Sequence, residues 1–157
     1  MKPNIGITPK NTQEVAQILS KLLADEFVLY TKTRNAHWNV EGPDFMDKHK
    51  FFESQYEQLD ELMDQVAERI RKIGHYAPAT LKSFLDLTHL TEKRVQETDA
   101  KNFIKDLLGD HENIVIFLRE NIDPVADKFK DIGSSDFMTG LLRDHEQMAW
   151  FLRAHFA

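Results

Sequence analysis

Hydrophobic residues recur every three or four positions along most of the chain, the spacing that places side chains on one face of an α-helix. The first such segment is predicted to begin near Asn11, because Glu14 follows it at capping-box spacing. Its apolar positions are Val15, Ile18, Leu19, Leu22, Leu29 and Ala36. Residues 1–10 hold two prolines and a glycine and are predicted to form a short irregular arm. The pair Gly42-Pro43 should end the helix and turn the chain.

A second amphipathic segment is predicted to form a helix from residue 44 to residue 73. Its apolar positions are Phe52, Tyr56, Leu59, Met63, Val66, Ile70 and Ile73. Gly74 follows directly, at the position where a glycine commonly ends a helix. Beyond it, the stretch HYAPAT predicts a connector, and TLKSFLDLTHL predicts one or two further helical turns.

Two more amphipathic segments complete the pattern. A third long helix is predicted from 99 to 130, and Pro124 is expected to kink or interrupt it because proline lacks a backbone donor. Gly133-Ser134-Ser135 is expected to break the chain before a fourth helix. The apolar positions of that helix are Phe137, Leu141, Leu142, Met148, Phe151 and Leu152. The pattern therefore predicts one all-α domain over 1–157, a four-helix bundle with a long connection between the second and third helices.

The composition is typical of a globular protein that is not embedded in a membrane. The chain has 157 residues, 41% of them hydrophobic and 29% charged, and its longest apolar runs are far too short to span a bilayer. The N-terminal stretch MKPNIGITPKNTQ lacks the apolar core of a signal peptide, so a cytoplasmic location is expected. The absence of cysteine excludes disulfides and metal sites built on thiolates.

The net charge of −6 favours cations over nucleic acid as partners. Non-specific affinity for DNA comes from basic side chains that neutralise phosphates. The arm before the first helix offers only Lys2 and Lys10, and no basic extension follows the last helix. DNA binding is therefore expected to be weak or absent.

One face of the second predicted helix is almost entirely acidic. Beside the apolar positions it carries His49, Glu53, Glu57, Asp60, Glu61, Asp64 and Glu68. Four pairs on this face are like-charged at i,i+4 spacing, which costs about 1–2 kcal/mol in total if all are ionised. A solvated surface is the alternative interpretation, but such surfaces usually mix charges of both signs. Bound cations would offset the repulsion.

Two pairs on this face have the spacing of half a metal site. His49 and Glu53 are one helical turn apart, and so are Asp64 and Glu68. The two pairs lie roughly 22 Å apart along a straight helix, so they cannot share an ion within one chain. Two copies of the helix that meet antiparallel about a two-fold axis would bring the pairs together and form two identical sites.

His37 belongs to the same pattern. The turn is centred near Gly42-Pro43, so residues six positions before and after it should be level on neighbouring antiparallel helices, which places His37 opposite His49. Two imidazoles with several carboxylates suit iron, manganese or zinc. No histidine in the chain has a glutamate three residues before it, so the Glu-x-x-His motif of di-iron centres inside a bundle is missing. A centre between subunits is favoured.

These residues resemble the signature of the Dps proteins, the DNA-binding proteins from starved cells, which are mini-ferritins of the ferritin-like superfamily. The matching positions are His37-Trp38-Asn39-Val40, Gly42, Phe45, His49, Glu53, Tyr56, Asp64 and Ala67-Glu68-Arg69. The resemblance extends from ADEFVLYTKTRNAHWNV through AERIRKIG to DHEQMAWFLRAHF, and so covers essentially the whole chain.

The resemblance implies a ferritin-like bundle with a short extra helix between the second and third helices, and twelve subunits that form a hollow shell. Such shells oxidise Fe(II) at their dimer interfaces, preferably with hydrogen peroxide, store the ferric mineral and protect against oxidative damage. His37, His49 and Glu53 would come from one subunit, and Asp64 and Glu68 from its two-fold mate. Zinc or other divalent ions are expected to substitute for iron at these ligands.

The resemblance also suggests secondary roles, each with a plain structural alternative. Trp38 would lie beside the centre, either packing it or intercepting a stray oxidising equivalent. The acids proposed for iron exit and mineral nucleation, or simply for a solvated or inter-subunit surface, are Glu57, Asp60 and Glu61. Acidic uptake pores at a three-fold axis would involve Asp131 and Asp136, and Asp127 lies in the same region, although acids are common at helix ends.

The remaining histidines are expected to have structural or surface roles. His75, His89 and His155 are interpreted as surface residues, and His111 and His145 as hydrogen-bonded residues of long helices. Three hypotheses for the whole protein follow. The first is an iron-storing ferroxidase, the second a DNA-compacting stress protein, and the third a helical shell with a purely structural or adhesive role. The five ligand positions favour the first.

Overall fold

The computed structural model describes residues 3–92 and 98–156 and confirms the all-α, ferritin-like fold. Its helices are α1 (Pro9–Asn39), α2 (Phe45–Lys72), α3 (Leu81–Leu87), α4 (Ala100–Asp127) and α5 (Ile132–Arg153), with a final 3-10 turn at Ala154–Phe156. The four long helices form the bundle: α1 packs chiefly on α2, and α4 on α5. The short helix α3 packs on α1, within the connection from α2 to α4.

The turns on either side of α2 lie where the glycines predict them. Gly42 has a φ of +135° between α1 and α2, and Gly74 has a φ of +97° just after α2. A Cβ atom on Gly74 would also lie 2.6 Å from the ring of Pro3. Both the backbone conformation and the close approach of the N-terminal arm therefore require glycine at that position.

Helix α1 begins two residues earlier than predicted. Thr8 caps it, since its hydroxyl accepts the backbone N–H of Asn11 at 3.3 Å, and Pro9 is the first helical residue. Proline suits this position because the first backbone N–H of a helix has no partner within the helix. Pro9, which the sequence assigned to the arm, is therefore part of the helix.

The predicted break at Gly133-Ser134-Ser135 was wrong, because these residues form the first turn of α5. Asp131 makes this possible by capping the helix. Its carboxylate accepts the backbone N–H of Ser134 at 2.9 Å and the Ser134 hydroxyl at 2.6 Å, and Arg69 binds it at 3.2 Å. The cap compensates for the weak helix propensity of glycine and serine. At Pro124 the sequence predicted a kink or an interruption; helix α4 continues through Pro124 to Asp127, so it is not interrupted there.

The core lies where the four apolar stripes meet. Every predicted core position of α1 is buried except Ile18, which is half-buried at the margin. In α2, Tyr56 and Met63 are also only half-buried, so one edge of this helix remains accessible. Among the described residues, no helix combines the length and the apolar character needed to cross a membrane.

Candidate metal centre

His37 and His49 face each other across the α1–α2 turn, as their equal distances from that turn in the sequence predict. Their rings stack with centroids 3.7 Å apart and planes inclined by 21°. The Nδ1 atom of His37 lies 2.8 Å from the carbonyl oxygen of His49, and the Nδ1 atom of His49 lies 2.8 Å from the carbonyl oxygen of His37. A carbonyl only accepts hydrogen bonds, so each Nδ1 is the protonated nitrogen.

This pairing leaves the other nitrogen of each ring available. With Nδ1–H donated to a carbonyl, a neutral imidazole presents an unprotonated Nε2, the atom that binds a metal ion. The His37 carbonyl lies in the last turn of α1, and the N–H of Glu41, four residues on, bonds instead to the carbonyl of Thr98. The His49 ring therefore satisfies an acceptor that the helix end leaves open.

Glu53 lies one turn after His49 on α2, with its side chain held by Tyr56. The Tyr56 hydroxyl donates to Glu53 Oε1 at 3.3 Å, and the Tyr56 ring lies edge-on to His37 with centroids 5.2 Å apart. Desolvation and the Glu53 carboxylate raise the pKa of Tyr56, against a lowering by Arg34. Tyr56 is therefore a protonated donor at neutral pH. The sequence indicated a core position and a match to the family signature here but no contact with Glu53, although the i,i+3 spacing of the two residues was a usable signal.

Asp64 and Glu68 lie farther along α2 and do not join the two histidines within one chain. Asp64 is exposed, and Glu68 is exposed and paired with Lys72 at 2.9 Å. Across residues 3–92 and 98–156, no three histidine or acidic side chains converge in a way that would hold a metal ion. One chain thus presents the paired rings of His37 and His49, the Glu53 carboxylate one helical turn farther along α2, and a separate pair of accessible carboxylates.

Some of the other predicted site residues have exposed side chains, and others contact neighbouring side chains. The exposed acids are Glu57, Asp60, Glu61, Asp127 and Asp136. Asp131 is buried and bound to Arg69 and Ser134. The Trp38 ring is 63% exposed, with the Arg34 guanidinium 5.1 Å from its centroid.

A buried polar chain crosses the bundle core away from these residues. His145 Nε2 lies 2.7 Å from Glu26 Oε1, and His145 Nδ1 lies 2.9 Å from His111 Nδ1. All three side chains are at most 1% exposed, and Glu26 Oε2 has no hydrogen-bond partner among the described residues. The predicted hydrogen-bonded role of His111 and His145 is confirmed. Glu26 was missed, because its partner His145 is 119 positions away in the sequence.

Two of the histidines interpreted as surface residues also hold the fold together. His75 Nε2 lies 3.0 Å from the Thr12 hydroxyl, which links the end of α2 to the start of α1. His89 is exposed, yet its Nδ1 lies 3.0 Å from the buried carboxylate of Asp25. These contacts fasten the long connection onto α1.

The buried position of His111 predicts a loss of stability in mild acid. Burial, and to a lesser degree the neighbouring His145, lower the pKa of His111 well below the usual 6.5. Below that pH the unfolded chain binds a proton that the folded chain rejects, so the free energy of unfolding falls as the pH drops from 6.5 toward the folded pKa. The slope contributed by this group is at most about 1.4 kcal/mol per pH unit.

Urea unfolding at fixed protein concentration, from about pH 7.5 down to 5.5, would measure this slope. The His111→Gln variant keeps a side chain that can hydrogen-bond to His145 but does not titrate, so its slope should be shallower than that of the wild type. Equal slopes in the two proteins would contradict the assignment to His111.

Comparisons with known proteins agree on one family. The ferritin-like domain family matches residues 16–157. An uncharacterised low temperature-induced protein of Nostoc sp. is 40% identical over 133 residues, which are 85% of this chain and 74% of the relative. DNA protection during starvation protein 2 of Bacillus anthracis is 34% identical over 124 residues, covering 79% and 84% of the two chains.

Solved structures give the same result. The Dps protein of Vibrio cholerae O1, described as a member of a broad superfamily of ferritin-like diiron-carboxylate proteins, superposes with a TM-score of 0.92 at 27% identity. The superposition covers 100% of this chain and 98% of that one. A Dps protein from Bacillus brevis gives a TM-score of 0.89 at 31% identity, over 96% and 100% of the two chains.

Proposed function

Because this chain belongs to the Dps family of ferritin-like proteins, we propose that it is an iron-storing ferroxidase whose centres are shared between two subunits. The observation that carries the proposal is the stacked pair of His37 and His49. Each ring is fixed by an Nδ1–carbonyl bond and so presents Nε2 as a free ligand atom. Glu53 supplies a carboxylate one helical turn away.

The remaining ligands are proposed to come from a second copy of the chain. Asp64 and Glu68 of the partner subunit would face His49 and Glu53 when two α2 helices meet antiparallel. Both carboxylates are accessible on the free subunit, and they are too far along α2 to reach the histidines of their own chain. A two-fold contact makes two such centres at once, so the proposal requires a homo-oligomer. The proposed shell of twelve subunits is carried over from the family.

The proposed reaction uses iron as substrate and hydrogen peroxide as oxidant. Two Fe(II) ions would each pass one electron to one peroxide molecule, which takes up two protons and leaves as two waters. Neutral imidazoles bind Fe(II) without stabilising it so strongly that it resists oxidation, and the carboxylates stabilise the higher charge of Fe(III). Electron transfer from two adjacent ions avoids the release of hydroxyl radical. Zinc suits the same donor set and should act as a competing ion.

Acidic surfaces complete the proposed iron path. The exposed side chains of Glu57, Asp60 and Glu61 would receive the product and support mineral nucleation. Asp136 is exposed on the first half of α5 and is proposed to line an uptake pore. Asp131 would contribute to that pore chiefly by fixing the start of α5, since its carboxylate is bound to Arg69 and Ser134.

A DNA-compacting role is less well supported than iron oxidation. The name of the Bacillus anthracis relative refers to DNA protection, but a shell that repeats a subunit of net charge −6 would repel duplex DNA at neutral pH. We propose that DNA is bound weakly or not at all. A gel-shift titration at low salt, where electrostatic binding is strongest, tests this directly.

The experiment that tests the proposed function is anaerobic loading with Fe(II), followed by hydrogen peroxide, with the ferric absorbance recorded over time. His37→Ala and Asp64→Ala should each slow the fast phase by at least about 10–100-fold, the loss that even outer-shell substitutions cause at metal sites. His155→Ala is the matched control, since that histidine is exposed near the end of α5, and it should behave as wild type. Wild-type rates in both site variants would refute the assignment.

A further inference from the structure

We propose that Tyr56 is a positioning residue for the Glu53 carboxylate, and that Arg34 and His37 on α1 hold Tyr56 in place; this inference rests on the proposed function. Tyr56 contacts two of the proposed ligands at once, one on each helix of the α1–α2 pair. Its hydroxyl donates to Glu53 Oε1 at 3.3 Å, and its ring edge meets the His37 ring with centroids 5.2 Å apart.

Helix α1 restrains the Tyr56 ring on more than one side. The guanidinium of Arg34 lies 4.3 Å from the ring centroid, and the Tyr30 ring packs edge-on with centroids 6.1 Å apart. Together with His37, these contacts bind a residue of α2 to three successive turns of α1. Cation–π and edge-to-face contacts of this kind are attractive and restrict the orientation of the ring. The direction of the tyrosine hydroxyl is therefore set by α1.

This arrangement gives the Tyr56 hydroxyl a specific task. Glutamate has one more rotatable bond than aspartate, so the Glu53 carboxylate would otherwise sample several positions beside the histidines. A hydrogen bond to Oε1 restricts those positions and leaves Oε2 available to a metal ion. Tyr56 also links a carboxylate of α2 to an imidazole of α1, since its hydroxyl bonds to Glu53 and its ring packs against His37.

Cobalt(II) is a suitable probe, because its visible spectrum reports the geometry of its ligands independently of any oxidation. Tyr56→Phe removes the hydroxyl and keeps the ring that packs on His37. We expect it to weaken Co(II) binding by about 10–100-fold and to change the visible spectrum, as loss of an outer-shell partner does at other metal sites. Thermal unfolding of the metal-free protein should be close to that of the wild type.

Tyr30→Phe is the matched control. It removes a hydroxyl from the neighbouring ring, whose contacts are with Phe27, Arg34 and Tyr56. Wild-type Co(II) affinity and spectrum are expected for this variant. If Tyr30→Phe weakened binding as much as Tyr56→Phe, the loss would not be specific to the hydroxyl that bonds to Glu53, and the positioning role would be overturned.

A double-mutant cycle with Glu53→Asp isolates the hydrogen bond. The shorter aspartate side chain withdraws the carboxylate from the Tyr56 hydroxyl, so removing that hydroxyl should change Co(II) affinity by less than about threefold in the Glu53→Asp background. Additive losses in the double variant would show that the hydroxyl acts on something other than the Glu53 carboxylate, and would overturn the inference.

The outcomes separate this inference from the proposed function. If wild type binds Co(II) and His37→Ala does not, while Tyr56→Phe matches wild type in affinity and spectrum, only the positioning role is refuted. If wild type and His37→Ala bind Co(II) equally, the centre itself is refuted, and the role of Tyr56 is overturned with it.

Discussion

Mixing His37→Ala subunits with Asp64→Ala subunits is expected to restore about a quarter of the wild-type number of active centres, although neither variant oxidises iron rapidly alone. In a mixed dimer, one centre combines the intact histidine cluster of the Asp64→Ala chain with the intact carboxylate pair of the His37→Ala chain. The other centre carries both defects. Random pairing makes about half of the dimers mixed, and half of their centres are intact.

The measurement requires dissociation and reassembly of the two variants at equal concentrations, followed by the peroxide assay. A matched control distinguishes complementation from a general effect of reassembly. His37 and Glu53 belong to the same half of the proposed centre, so mixing His37→Ala with Glu53→Ala should restore nothing. Equal recovery in both mixtures, or none in either, would rule out a centre divided between His37 and Asp64 on different subunits.

Replacing His145 by leucine is expected to lower the free energy of unfolding by about 3–5 kcal/mol. His145 is the hydrogen-bond partner of the Glu26 carboxylate, which is fully buried and has one oxygen already without a partner among the described residues. The substitution leaves that carboxylate buried in an apolar core with no compensating donor. It also removes the group that faces His111.

A second substitution tests the cause of that loss. Replacing Glu26 by leucine in the same chain removes the isolated side chain, and replacing both partners of a buried hydrogen bond by apolar groups is often nearly neutral or stabilising. Most of the lost stability should therefore return in the double variant. Urea unfolding at fixed protein concentration is the measurement, because association stabilises the folded subunit. A double variant as unstable as His145→Leu would indicate that packing, rather than the unpaired carboxylate, caused the loss.

The sequence predicted the parts of this protein that depend on local regularity. Apolar spacing located four long helices, and counting six positions outward from the Gly42-Pro43 turn placed His37 opposite His49. The start of α5 was misplaced because glycine and serine have low helix propensity, whereas the cap from Asp131 and its bond to Arg69 are tertiary effects.

What the sequence missed depends on contacts between distant segments. Spacing along one helix shows which residues share a face, but not which polar groups of other helices meet that face. The partner of Glu26 lies on α5, and the contacts that restrain Tyr56 come from α1. Neither set follows from the periodicity of a single segment. The structure shows that His145 is the partner of Glu26 and that Arg34 contacts Tyr56, and the proposed roles follow from these contacts.

The paired bonds between the imidazoles of His37 and His49 and each other's backbone carbonyls would give the proposed centre two ordered ligands before any iron arrives. When flexible ligand side chains become ordered only on binding, each one reduces the binding free energy by about 0.5–1.5 kcal/mol. Here both rings are already ordered when the α1–α2 hairpin folds, so this free energy is not lost on binding. The receptor is preorganised, and its formation depends on correct docking of the two helices. A subunit in which that hairpin has not closed would lack the paired nitrogens, so under the proposed function the capture of iron would be coupled to completed folding.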